Sequence, residues 1–129
     1  MKVWDPVELE DLDGEVHFKI AIGFCGKVYD VSSRRDLYGK GPNDGHNGPG
    51  GYAKFGGKIV TRSFALVSLD DEHVGRSDLG DLEPIHLHAL RDWKKKFDEK
   101  YEVLGAIEEP AILDEYGSYE KFFEHVNER

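Results

Sequence analysis

The stretch Leu37–Lys58 reads LYGKGPNDGHNGPGGYAKFGGK. It is dense in glycine, holds two prolines and carries a tyrosine near each end, Tyr38 and Tyr52. No helical or strand period runs through it. A structureless loop of this length is uncommon in a compact domain unless it is functional or disordered. Glycine lets backbone approach a large flat ligand closely. Tyrosine supplies a ring to pack on such a ligand and an oxygen for a metal. The bland alternatives are tight turns and two ordinary half-buried aromatic residues. A phosphate-binding loop is not among the readings, because the Gly-Lys-Ser/Thr ending is missing.

The sequence around the loop has the makings of one small domain. Asp-Pro at residues 5–6 caps a short helix that Gly14 ends. In HFKIAIGF, Phe18, Ile20 and Ile22 alternate with His17, Lys19 and Ala21, which predicts a half-buried strand. Cys25-Gly26 turns the chain into a second strand, KVYDVSS. After the loop, VTRSFALVSL predicts a short helix with Phe64, Ala65 and Leu69 inward. DDEHVGRSDLGDLEP is a polar connection in which Asp70, Asp71 and Glu72 form an acidic turn. PIHLHALRDWKKKFDEKY is the longest helix, with Ile85, Ala89, Trp93 and Phe97 as its apolar stripe and Lys94–Lys96 as a solvated face. YEVLGAI returns as a last strand. SYEKFFEHVNER predicts a terminal amphipathic helix capped by Ser118, with Phe122, Phe123 and Val126 buried. The expected architecture is a small α+β domain over residues 1–107, with a helical extension over 108–129.

With 129 residues, the chain fits a single domain with a modest core. The net charge of -9 argues against nucleic acid or anionic lipid as the main partner. One cysteine excludes an intramolecular disulfide, and Cys25 in its apolar run reads as a small buried residue. The acidic N-terminal stretch lacks a signal-peptide pattern, and no segment reaches the ~18 apolar residues of a membrane span. We expect an intracellular soluble domain, cytoplasmic or facing the cytoplasm at the endoplasmic reticulum. No catalytic constellation can be read from the order of residues, so an enzyme is not expected. His86 and His88 stand two apart and point to different sides of a helix, which argues against a metal pair. Ferric haem iron, in contrast, can be held by a tyrosinate, and Lys100 and Tyr101 at the end of the long helix are available as nearby donors.

GKVYDVSS, LYGKG, GGYAKFGGK, SDLGDL and DWKKKFDEKYEVLG occur in the order seen in the membrane-associated progesterone receptor family. This family is a branch of the cytochrome b5-like haem- and steroid-binding fold, and the resemblance covers about Val7 to Ile107. It implies haem b as cofactor, Tyr52 as the iron ligand, Tyr38 as a second loop tyrosine hydrogen-bonding near the haem, and Lys100 and Tyr101 as the pair closing the pocket. It further implies haem handling, or support of haem-thiolate monooxygenases in sterol metabolism. The alternative is a haem-free interaction adapter, or a binder of a steroid or other small apolar ligand. Ordinary cytochrome b5 uses two axial histidines, one in a His-Pro-Gly-Gly motif; Gly48 stands in that histidine's place here. The sequence departs from the family twice. The segment Asn43–Gly48 lengthens the loop and brings in His46 as a candidate competing ligand, and Ile59 stands where the family often has Asp. The inserted polar residues favour a monomer, with the loop partly covering the haem face, over a dimer stacked through haem.

Overall fold

A computed structural model of the chain describes residues 2–108 and 119–127. Its centre is a four-stranded mixed sheet in the order β1-β4-β3-β2: β1 Val3–Trp4, β2 Ala21–Phe24, β3 Lys27–Asp30 and β4 Glu102–Ile107. β2 and β3 form an antiparallel hairpin that pairs Ile22 with Tyr29. Its two-residue turn has both φ angles positive, Cys25 at 51° and Gly26 at 80°. This is the handedness that matches the twist of the flanking strands. β4 lies antiparallel to β3, with an irregularity between Val28 and Tyr29, and parallel to the short β1. Cys25 is buried, as its apolar run predicted.

Helices cover both faces of the sheet. On one face lies α1, Pro6–Glu10, whose Asp5 side chain accepts from the Val7 N–H while Glu8 closes the capping box. α1 stops at Glu10, earlier than Gly14. Leu9 and Leu12 pack there on Ala21, Val28 and Ile107. On the other face lie α2 (Arg35–Tyr38), α3 (Thr61–Leu66), α4 (Pro84–Lys100) and α5 (Tyr119–Asn127). α5 sets Phe122 and Phe123 into the main core. The expected cap at Ser118 lies outside the described residues, as does the side chain of Val126.

Because both faces are covered, β2 is buried along its whole length rather than half-buried. The alternating pattern also started too early: Phe18 precedes the strand and is 72% exposed. α4 corrects a second expectation. Its inward residues are Leu87, Leu90 and Phe97, whereas Ile85 is 70% exposed and Ala89 and Trp93 are half-buried. Four-residue steps drift around a helix of 3.6 residues per turn, so Ile85 leaves the stripe that Phe97 anchors. Lys94 is not solvated with Lys95 and Lys96: it pairs with Asp98 at 2.7 Å, and Asp98 also accepts the Tyr29 hydroxyl. Leu69, expected inward, lies beyond the end of α3 and is exposed.

The glycine-rich loop is ordered by its own backbone. The Gly50 N–H donates to the Gly39 carbonyl at 2.9 Å and the Tyr52 N–H to the Leu37 carbonyl at 2.7 Å, closing the base. The inserted residues fold between those bonds as a small hairpin, with the Gly45 N–H bonded to the Gly48 carbonyl. Asp44 turns this hairpin by accepting from the Gly41 N–H, and it pairs with Arg35 at 3.4 Å. His46 is exposed on it. At the base the two strands of the loop approach so closely that a Cβ on Gly50 would run into the carbonyl oxygen of Leu37. Gly50→Ala is therefore expected to destabilise the protein by roughly 1–3 kcal/mol, with a lower thermal midpoint and a change in near-ultraviolet circular dichroism from the displaced Tyr52. An unchanged midpoint would contradict the crossing.

Candidate functional site

Closing the loop at its base places Tyr52 over the aromatic core. The core runs as a connected series of rings from the sheet outward: Phe24 to Phe97 at 4.7 Å, Phe97 to Phe64 at 5.2 Å, Phe64 to Tyr52 at 5.9 Å. Phe55, on the turn after Tyr52, stacks on it at 5.6 Å. Edge-to-face and offset contacts of this kind add to the burial energy of the rings.

Three of the four residues singled out in the sequence come together. Tyr38 is buried, its ring 5.6 Å from that of Tyr52. Tyr101, at the end of α4, packs on Phe97 at 5.4 Å and lies close enough to Tyr38 and Tyr52 to interact electrostatically. Burial, then the neighbouring hydroxyls of Tyr101 and Tyr52, push the Tyr38 hydroxyl far above its usual range. Burial likewise raises Tyr101. Both phenols stay protonated at neutral pH and available as hydrogen-bond donors. Lys100 is exposed, and its side chain makes no hydrogen bond or ion pair to another described residue. His46 is exposed on the hairpin instead of lying among the rings.

On its other side, Tyr52 lines a cavity of about 170 Å³. The cavity has aromatic walls from Phe55, Phe64 and Trp93, and a lip from Val67, Ser68 and Leu69. Ser63 of α3 also belongs to the lining, and its buried hydroxyl has no hydrogen-bond partner among the described residues. Val67 ends α3 in the left-handed region at φ 51°, ψ 50°, and is 71% exposed. Nothing in the sequence announced Ser63 or Val67, since a serine and a valine in a short helical run carry no signal of their own.

Arg62 was also missed. It sits in α3 with only 6% of its surface exposed. Its guanidinium donates to both carboxylate oxygens of Asp81 at 2.7 and 2.8 Å, to the carbonyl of Asp78 at 3.0 Å and to Nδ1 of His73 at 3.1 Å. The acidic turn is thereby tied to α3. Asp70, Glu72 and His73 are the one group of potential metal ligands clustered among the described residues, and His73 already serves Arg62. His86 caps α4 through Nδ1, which gives it a structural role. Arg34, half-buried and paired with both carboxylate oxygens of Asp36 at 3.0 Å, brings a cation close to Tyr38 and Tyr101.

Ile59 fills the space over Gly23, where the chain makes a parallel bridge to β2, and packs with Leu9. An aspartate there would bury a charge against that apolar face, which explains why the loop is closed by packing at this point.

No family model matches the chain. Among curated proteins it is 36% identical over 102 residues to membrane steroid-binding protein 2 of Arabidopsis thaliana, covering 78% of this chain and 40% of the relative. It is 32% identical over 113 residues to the cytochrome P450 regulator dap1 of Schizosaccharomyces pombe, covering 83% and 63%. It is 30% identical over 106 residues to human membrane-associated progesterone receptor component 2, covering 81% and 44%. The chain thus spans roughly two fifths to three fifths of these relatives. Among solved structures, an Arabidopsis thaliana protein described as having a cytochrome b5-like fold superposes with a TM-score of 0.67 at 28% identity, covering 83% of this chain and 91% of that one. A putative steroid-binding protein from Arabidopsis gives 0.66 at 28% identity, covering 81% and 95%. No helix among the described residues is long and apolar enough to cross a membrane.

Arg62 holds the Asp81 carboxyl down at about 2. A carboxylate depressed below its unfolded value stabilises the fold above that unfolded value and loses the effect as pH falls through the folded one. Asp81→Asn should be less stable than the parent protein at pH 7, with the gap narrowing from about pH 4 down to about pH 2. Urea unfolding across that range measures it; a gap that does not depend on pH would remove the ion pair from the account.

Proposed function

The chain is a cytochrome b5-like domain of the membrane-associated progesterone receptor family, and from that premise we propose that it is a non-enzymatic haem-binding module whose iron ligand is the Tyr52 phenolate. One observation carries the assignment. Tyr52 is the tyrosine that the loop delivers to the edge of the aromatic cavity, with the ring of Tyr38 5.6 Å away and Tyr101 close by. The donor set suits a ferric porphyrin: one phenolate oxygen, two phenol donors beside it, and apolar rings for the macrocycle. Arg34, half-buried beside Tyr38 and Tyr101, would provide a cation for a porphyrin carboxylate in exchange for its Asp36 partner.

Bound haem would supply a ferric centre that an anionic oxygen ligand stabilises against reduction, since the axial ligand sets the potential. The protein's own residues position it: Tyr52 supplies the anchoring oxygen, Tyr38 and Tyr101 donate hydrogen bonds, and the ring series from Phe55 to Phe97 keeps water from one side. A module of this kind carries haem, or docks beside a haem-thiolate monooxygenase in sterol metabolism, the role that the printed name of the fission-yeast relative supports. The hairpin around Asp44 is polar and self-bonded, which favours a monomer over a stacked pair.

The cavity favours a second reading. At about 170 Å³ it falls short of the roughly 300–1,000 Å³ of pockets that enclose drug-sized ligands. It therefore accepts a small apolar group, or one end of a larger one, without haem; the steroid-binding names of the plant relatives point to apolar ring ligands.

Hemin titration followed by visible spectroscopy tests the main reading. The intact chain should give a high-spin ferric Soret band. Tyr52→Phe, which keeps the ring and removes the oxygen, should shift the band and weaken binding by at least the roughly 10–100-fold that losing an outer-shell metal partner costs. Reduction should loosen the haem in the intact chain. Equal affinity and an identical spectrum in the phenylalanine variant would rule out Tyr52 as the ligand.

A further inference from the structure

We propose that the cleft between α1 and the acidic turn is a docking surface for a partner protein. Its occupant is a short basic segment in which one or two large apolar side chains are flanked by lysine or arginine. The inference stands apart from the haem reading, because the cleft shares no lining residue with the cavity beside Tyr52.

Three observations meet there. The first is space: the cleft measures about 410 Å³, inside the roughly 300–1,000 Å³ of sites that hold sizeable ligands. The second is an accessible apolar floor. Pro6 is exposed and Ile59 and Val74 are half-buried, and all three line the cleft. Ile59 stands where the family often has Asp, so this floor is apolar through the chain's own departure from the pattern. The third is charge. The two lysines of the lining are already neutralised, Lys54 by Asp71 at 3.0 Å and Lys58 by Glu10 at 3.3 Å. Asp70 and Glu72, on either side of Asp71 in the chain, pair with no lysine or arginine among the described residues. Their carboxylates stand within 4.8 Å of each other. The excess at this rim is therefore negative, in a chain of net charge -9.

Charge and floor together select the occupant. The carboxylates are the outer members of both rim pairs: the Asp71 side chain is 91% exposed against 40% for Lys54. Exposed pairs of this kind are weak, so an incoming ammonium or guanidinium group can join them at little cost. An acidic ligand meets Asp70, Asp71 and Glu72 instead, and a second copy of this chain brings like charge to the rim. An apolar side chain between two cations would cover Ile59 and Val74 while the cations reach the acidic turn on one bank and Glu10 on the other. In such a contact the rim charges govern encounter and salt dependence, and the apolar centre governs lifetime. A surface of this size suits a transient assembly.

The test uses the intact chain and three fluorescein-labelled, amidated octapeptides. One is Gly-Lys-Arg-Leu-Phe-Arg-Lys-Gly; the second has serine in place of its Leu and Phe; the third has glutamate in place of its Lys and Arg. Fluorescence anisotropy gives the affinities, and amide chemical shifts of the ¹⁵N-labelled protein give the location. The first peptide should bind at least about tenfold more tightly than either analogue. Its affinity should fall between about 50 and 300 mM NaCl as screening increases, and it should shift the amides of Gly57, Ile59, Val74 and Gly75. Glu10→Lys combined with Asp71→Lys should weaken it by about tenfold or more. Glu99→Lys combined with Glu124→Lys makes the same change in net charge at exposed positions of α4 and α5, and should alter the affinity by less than about twofold. Equal losses in the two double variants would reduce the binding to overall charge and overturn the inference. So would an acidic peptide that binds as well as the basic one, a serine analogue with undiminished affinity, shifts centred on Tyr52 and Trp93, or no binding of the first peptide.

Discussion

The site depends on a buried cation. Arg62 lies inside the protein on a six-residue helix, and a guanidinium there is tolerable only because fixed acceptors surround it. Asp81 meets it with both oxygens, Asp78 with a carbonyl, His73 with a ring nitrogen. Those partners come from a polar connection with little apolar surface of its own, in which Leu79 is the buried residue. One residue of α3 thereby fixes the course of the chain from His73 to Asp81. The constraint acts in the other direction too. α3 is too short to hold itself, and the acidic segment clamps it at the angle that brings Ser63 and Phe64 to the cavity and Val67 to its lip.

The fold was legible where local chemistry and global packing agree. Asp5 and Pro6 specify a helix start whatever surrounds them, and α1 begins there. The Cys25-Gly26 turn between two β-rich runs could hardly be anything but a hairpin. The sequence misleads where tertiary context decides. Phe18 continues the alternation of Ile20 and Ile22, yet the ladder to β3 begins only at Ala21, and Phe18 is left outside. Ile85 is spaced like a core residue but belongs to the first turn of α4, where it is left 70% exposed. Of the site, the tyrosines were legible because their loop is unusual in composition. Arg62 was not, because in a one-dimensional reading a charged residue between apolar ones reads as surface, and its partners stand 11 to 19 positions away.

The lengthened loop illustrates how an insertion can leave a site in place. Asn43–Gly48 lie between two tyrosines whose ring centroids stand 5.6 Å apart. The loop achieves this by bonding to itself. The Gly39–Gly50 and Leu37–Tyr52 hydrogen bonds set the distance between its two arms, and everything between them hangs outside that gate. Loop closure costs grow only slowly with length, so six extra residues are cheap once the base is fixed. The base is the sensitive part, because the backbone crossing there has no room for a side chain at Gly50.

Local costs in this protein gather around one cavity. Val67 is β-branched and in the left-handed region, a conformation that costs an L-residue about 1–2 kcal/mol. It is also largely exposed, so packing returns little of that cost. Ser63, on the same short helix, buries a hydroxyl without a partner among the described residues. Sequences are ordinarily consistent across levels, and breaches of local rules concentrate at functional sites. A left-handed valine at a cavity's lip has a physical rationale if a ligand completes the surface there: contact with an apolar ring would bury Val67 and supply the packing that its exposed position lacks.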